Sequence, residues 1–102
     1  PPDLDEVISQ ADLALETSNN ENAVQLYNYA AGVLRDQLKT LSSNMAASEE
    51  EKESTIIFLS KILGKMAEAK VSLGDQMGGQ ADFVEATTLL KIIPAVLYTQ
   101  GI

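Results

Sequence analysis

The residue types that most often do enzyme chemistry are scarce in this chain. It contains no His and no Cys, so the commonest general base, the thiolate nucleophile and the usual zinc ligands are missing. Its serines have no imidazole to activate them. The remaining candidates are the 15 acidic side chains, whose carboxylates can act as paired acid–base groups or as ligands for a hard cation.

The densest acidic run, residues 49–53, is explained by helix initiation. Successive helical residues point in different directions, so these carboxylates do not converge on one ion. Ser48 can cap a helix with Glu51 completing a capping box, and the acids complement the positive end of the helix dipole. A glycine-rich phosphate loop is also missing. We therefore expect no catalytic residue, no metal and no cofactor, although a longer host protein could be a kinase or an ATPase.

Charge and composition narrow the class of partner. Apolar residues make up 45% of the chain, which suffices for a folded core. The net charge of −8 argues against a nucleic-acid partner, since phosphate binding needs clustered cations. The acidity favours a partner with exposed basic residues, and it is equally compatible with a role in solubility alone. No apolar run reaches the ~20 residues of a membrane span, so we expect no direct membrane insertion.

Apolar residues recur at helical spacing nearly throughout the chain. A first helix is predicted to begin after Asp3 and to end at the polar cluster of residues 17–20. A second is predicted over residues 21–45, with its inward stripe extending to Met45. Gly32 within it indicates a close helix crossing.

The third helix is predicted to run from the Ser48 cap to about Met77, with Leu73 inward, and to end at Gly78 and Gly79. A fourth segment covers residues 80–98, with Phe83 among its inward residues and a kink or restart at Pro94. No alternating strand pattern is present. Short connections make consecutive helices antiparallel. The sequence therefore predicts a single all-α domain, an antiparallel bundle of three long helices plus a fourth C-terminal helical segment.

Two helical families share parts of this pattern. The stretch AVQLY at residues 23–27 resembles the start of the second helix of MIT (microtubule-interacting and trafficking) domains, which are three-helix bundles. The runs AAGVLRDQLK (30–39) and KILGKMAEAKVSL (61–73) are similar to the rest of that family's second helix and to its third. The resemblance covers residues 4–77, and residues 80–98 would then be an additional helix or the start of a second unit.

The second family is the tetratricopeptide repeat. SLGDQMGGQADFVEATTLL, residues 72–90, is similar to its core motif at Leu73, Gly74, Phe83, Ala86 and Leu90. The two matching alanines, Ala23 and Ala86, lie 63 residues apart, far from the ~34-residue period of that repeat. Both families are non-catalytic interaction modules. A third interpretation, from a different class, is a structural bundle that uses the same apolar surfaces to self-associate.

The MIT resemblance implies a groove between helices that receives a basic amphipathic helix or a short motif of a trafficking or autophagy partner. It also implies a cytoplasmic protein, recruited to endosomal or autophagic membranes through its partners. The competing interpretation is that the fourth segment already fills this groove. The residues predicted to line it, or to lie on its acidic edge, are Val24, Ala31, Leu38, Ile57, Gly64, Glu68, Val71 and Asp75.

Overall fold

The computed structural model describes residues 2–93, and all regular structure in that range is α-helical. The helices are α1 (Leu4–Glu16), α2 (Asn20–Ser43), α3 (Glu49–Ser72) and α4 (Gln76–Leu90). The predicted all-α fold class is confirmed. The predicted kink at Pro94 lies outside the described residues. No helix within residues 2–93 has the length and apolar character needed to cross a bilayer.

The cap predicted for α3 is confirmed, because the Ser48 hydroxyl accepts a hydrogen bond from the Glu51 backbone N–H at 3.1 Å. Asp3 occupies the N-cap position of α1, but its side chain makes no capping hydrogen bond. Both helices carry acids in their first turn, where the helix dipole favours negative charge. Local sequence signals therefore place both helix starts correctly.

The predicted end of α3 is wrong. The helix stops at Ser72, and Gly74 follows with φ at +88°, a conformation that glycine adopts without strain. The Asp75 N–H donates to the Lys70 carbonyl and the Gly74 N–H to the Val71 carbonyl, both at 2.9 Å, which is a Schellman motif. Asp75 then caps α4, because its carboxylate accepts from the Gly78 N–H at 2.9 Å.

The helices form two layers. Lys65 on α3 pairs with Asp12 on α1 at 3.0 Å, while two guanidinium N–H groups of Arg35 on α2 donate to Glu85 on α4, each at 2.8 Å. Each pair skips one helix, so α1 and α3 lie in one layer and α2 and α4 in the other. The thinnest extent of the molecule, 19 Å, fits two layers of helices packed ~10 Å apart.

The core lies around the α2–α3 pair, as predicted. Tyr27, Leu34, Leu59 and Leu63 are at most 2% exposed.

Three predicted inward residues are instead exposed: Met45 lies beyond the end of α2, Leu73 lies in the α3–α4 turn, and Phe83 is 49% exposed. The buried residues of α4 are Gly79, Asp82 and Ala86, so this helix is rotated from the predicted orientation.

Candidate protein-binding groove

The predicted α2 row of the groove is not an open surface. Ala31 is completely buried in the core, so it leaves no room for a partner backbone, and its predicted place on a rim is wrong. Val24 and Leu38 are half-buried and pack against the same core. The physical reason is that α2 packs against both α1 and α3.

The fourth helix reaches the side of α2 that was assigned to a partner. Arg35 lies between Ala31 and Leu38 along α2, and its bidentate bond joins this side of α2 to Glu85 of α4. Beyond α4, Ile93 lines a small cavity together with Leu38. The competing interpretation, that the fourth segment fills the groove, stays a prediction.

The α3 row of the predicted site is open. Ile57 is 49% exposed and Val71 is 43% exposed, and Glu68 is also exposed. A Cβ atom added to Gly64 would meet no atom within 4 Å. These four residues share the side of α3 that faces away from α2, because they recur at intervals of three, four or seven residues.

Helix α4 provides the second wall. The Ser60 hydroxyl of α3 lies 3.4 Å from the Ala86 carbonyl of α4, and a Cβ atom built on Gly79 would fall 3.1 Å from the Ala67 carbonyl. This antiparallel register puts Phe83 level with Gly64. We call the surface formed by Ile57, Gly64, Glu68, Val71 and Phe83 the α3–α4 groove. Asp75 lies at one end of it, in the turn between the two helices.

Sequence reasoning missed Phe83 as a groove residue because α4 is apolar on more than one side. Val84, Leu89 and Leu90 flank the buried Ala86 together with Phe83, so periodicity alone does not select an inward face. The packing of Gly79 close to α3 decides it. A signal was present in the sequence, since two adjacent glycines early in a helix favour a close approach of another backbone.

Two ion pairs hold α4 in this orientation, and neither was predicted. Asp82 is 6% exposed, and its Oδ2 atom lies 2.9 Å from Lys70 Nζ. Arg35 and Glu85 form the second pair, nearer to solvent. The hydrogen bonds from Arg35 lower the pKa of Glu85, although burial opposes this, and the same hydrogen bonds raise the pKa of Arg35.

A cluster of three polar side chains, Asp12, Tyr27 and Lys65, links α1, α2 and α3. The Tyr27 hydroxyl donates to Asp12, which also pairs with Lys65. Burial favours a higher pKa for Asp12, but the hydrogen bonds from Tyr27 and Lys65 and the positive charge of Lys65 together lower the pKa. Burial and the neighbouring carboxylate raise the pKa of Tyr27. This group is structural, since it ties the two layers together.

Comparisons with protein-family models, curated proteins and solved structures find no match to this chain. The resemblances to MIT domains and tetratricopeptide repeats therefore remain expectations from sequence. Within residues 2–93, no three acidic side chains come together in a way that could hold a metal ion.

Proposed function

We propose that this chain is a non-catalytic protein-interaction module that receives an amphipathic helix of a partner protein in the α3–α4 groove. The observation that carries the proposal is the row of half-exposed apolar side chains Ile57, Val71 and Phe83 beside the open backbone at Gly64. Burying such surface is favourable by roughly 25 cal/mol per Å². The glycine allows a partner helix to approach closely.

The layered arrangement favours a helix as the occupant. An additional helix placed against α3 and α4 would continue the layer that α1 and α3 begin. The apolar side chains of this additional helix, spaced three and four residues apart, would pack against the groove residues. The same layering supports a tetratricopeptide-like module as the second candidate, in which a short peptide occupies this groove.

Charge favours a basic partner. The chain carries a net charge of −8, and Glu68 and Asp75 are exposed at the groove. Complementary charge mainly speeds association and selects among partners. The MIT resemblance extends the proposal to a partner in trafficking or autophagy and to a cytoplasmic protein brought to endosomal or autophagic membranes by that partner.

The test uses a designed 18-residue helix with leucines on one face and lysines on the other, titrated into the isotope-labelled chain while amide NMR shifts are followed. We expect the largest shifts at Ile57, Gly64, Glu68, Val71 and Phe83. The blocking variant is Gly64→Arg, which places a bulky side chain in the groove where the backbone has room for it. Replacing a helical glycine should not harm the fold, since glycine costs about 1 kcal/mol relative to alanine there.

The matched control is Gly32→Arg. Gly32 is also a half-exposed helical glycine with no atom within 4 Å of an added Cβ, but it lies on α2, away from the groove. We expect Gly64→Arg to abolish binding and Gly32→Arg to retain it. Equal affinity of the two variants, or shifts confined to α1 and α2, would refute the proposed site. Self-association through the groove would instead appear as a concentration-dependent mass that Gly64→Arg abolishes.

A further inference from the structure

The two helix hairpins of the chain, α1 with α2 and α3 with α4, are joined by turns of the same geometry. Ser18 and Gly74 lie 56 residues apart, and both have a positive φ, +61° and +88° respectively. In the first turn the Asn19 N–H donates to the Ala14 carbonyl at 2.8 Å. The Ser18 N–H donates to the Leu15 carbonyl at 3.2 Å. These are the two bonds of the Schellman motif that ends α3, so each residue of the first hairpin has an equivalent 56 positions later.

The two hairpins also pack alike at their small residues. Three small residues of the first hairpin are buried, and their equivalents in the second hairpin are small and buried as well. Ala11, Ala23 and Ala30 correspond to Ala67, Gly79 and Ala86. Small buried residues allow two helices to approach closely, so the helices of both hairpins meet at the same positions. The second hairpin is therefore a structural repeat of the first.

The α3–α4 groove is the repeat of the surface on the first hairpin that α3 covers. The groove residues Gly64, Glu68, Val71 and Phe83 are equivalent to Ile8, Asp12, Leu15 and Tyr27. On the first hairpin, Tyr27 is completely buried, and Asp12 is paired with Lys65 of α3 at 3.0 Å. On the second hairpin, Phe83 is 49% exposed and Glu68 is exposed. Within residues 2–93, no helix takes on the second hairpin the place that α3 takes on the first.

We infer that the partner of the α3–α4 groove is a helix that resembles α3, lies parallel to α3, and presents a Lys or Arg to Glu68 as Lys65 is presented to Asp12. The inference rests on the proposed function and adds the direction and the register of the bound helix. Because each turn reverses the chain, α3 runs parallel to α1. A helix placed in the same way on the second hairpin therefore runs parallel to α3.

The sequence of α3 shows the chemistry that such a partner needs. Its largest buried side chains are spaced three and four residues apart, at Leu59, Ile62, Leu63 and Met66. Residues 55–72 contain three lysines and one glutamate, so this stretch is both amphipathic and basic. A peptide with this sequence is therefore a direct probe of the groove.

The experiment titrates a synthetic peptide of residues 55–72 into the isotope-labelled chain, with a nitroxide spin label at the C-terminus of the peptide. We expect amide shifts along the groove and broadening of the signals of Ser72 and Asp75 at the turn, with the signal of Ile57 left sharp. A label at the N-terminus of the peptide should give the opposite pattern. Broadening by the C-terminal label at the Ile57 end, or equally at both ends, overturns the inferred direction while the proposed groove stands.

Charge reversals test the inferred ion pair. Glu68→Lys should weaken peptide binding about fivefold, the upper range for an exposed pair, and the peptide variant Lys65→Glu should restore it. The matched control, Asp36→Lys, makes the same change of charge at an exposed position of α2, where screening should keep the loss below about twofold. Equal losses in both variants, or no recovery with the altered peptide, overturn the inferred pair. If the peptide shifts no groove signal, the proposed function fails as well.

Discussion

Replacing Lys70 by methionine removes the cation beside the buried carboxylate of Asp82. The Asp82 side chain is 9% exposed and that of Lys70 is 21% exposed. The Oδ2 atom of Asp82 has no hydrogen-bond partner among residues 2–93, although Lys70 Nζ lies 2.9 Å away. The charge of Lys70 is therefore the main compensation for this oxygen, and the methionine keeps the length and packing of the lysine stem.

Breaking a buried pair by removing one partner typically costs about 3–5 kcal/mol, because it leaves an uncompensated buried charge. Lys70 lies at the edge of the buried region, so we expect a loss of unfolding free energy at the lower end of this range, about 3 kcal/mol. At about 2 cal/mol/K of unfolding entropy per residue, this loss lowers Tm by roughly 14 °C in a domain of this size. The measurement is thermal unfolding followed by circular dichroism, with urea unfolding as a second measure of the free energy.

The double variant Lys70→Met with Asp82→Leu separates a lost charge partner from lost packing. Replacing both members of a buried pair by apolar residues of similar size is often neutral or stabilising, so the double variant should regain most of the loss. The exposed pair provides the control. The side chains of Arg35 and Glu85 are 40% and 36% exposed, so Glu85→Gln should cost about 1 kcal/mol or less. A single variant as stable as the unaltered chain, or a double variant as unstable as the single one, would refute the reasoning.

Two further predictions concern the stability of the fold in acid and the backbone conformation of Gly74. The pKa values of Asp12 and Glu85 are lowered in the folded chain from their ordinary values of 3.8 and 4.5. The stability that they contribute is therefore present above the ordinary values and is lost as the pH falls through the lowered ones. Urea midpoints measured from pH 7 to pH 3 should decline in the acid range, and the decline should be shallower in the double variant Asp12→Asn with Glu85→Gln. Gly74→Ala should lower the free energy of unfolding by about 1–2 kcal/mol, because φ at Gly74 is +88°, whereas Gly64→Ala should raise it by up to about 1 kcal/mol. Thermal unfolding of both variants measures the contrast, and equal effects would show that the conformation of Gly74 is unimportant.

The sequence was most informative where structure depends on neighbours in the chain. The cap at Ser48 and the acids that follow it are a local pattern, and the structure has the predicted hydrogen bond to Glu51. The end of α3 was harder to predict, since Gly74, Gly78 and Gly79 all permit a helix to stop. The helix stops at Gly74 because the Asp75 N–H can donate the Schellman bond to the Lys70 carbonyl while the Asp75 carboxylate caps the next helix.

The candidate groove could be predicted only in part. The α3 residues were identified from their spacing, and Ile57, Gly64, Glu68 and Val71 do share an open side. The other wall was assigned to α2, because the sequence does not show which helix lies over Ala31. Phe83 on α4 is the wall that the structure provides, and its orientation depends on contacts with a different helix.

The sequence by itself determined that the chain is helical, where α1, α2 and α3 begin, and which residues of α2 and α3 form the core. These properties follow from hydrogen bonding within a few residues and from the 3.6-residue period of an apolar face. The tertiary structure alone decided the rotation of α4 and hence the position of the groove. Asp82 becomes a buried residue only because Lys70, on another helix, lies beside it, and Gly79 becomes a contact point only because Ala67 and Val71 approach it. Such interactions join residues on different helices, so a local pattern such as the Gly78–Gly79 pair indicates a close approach but does not show which helix makes it.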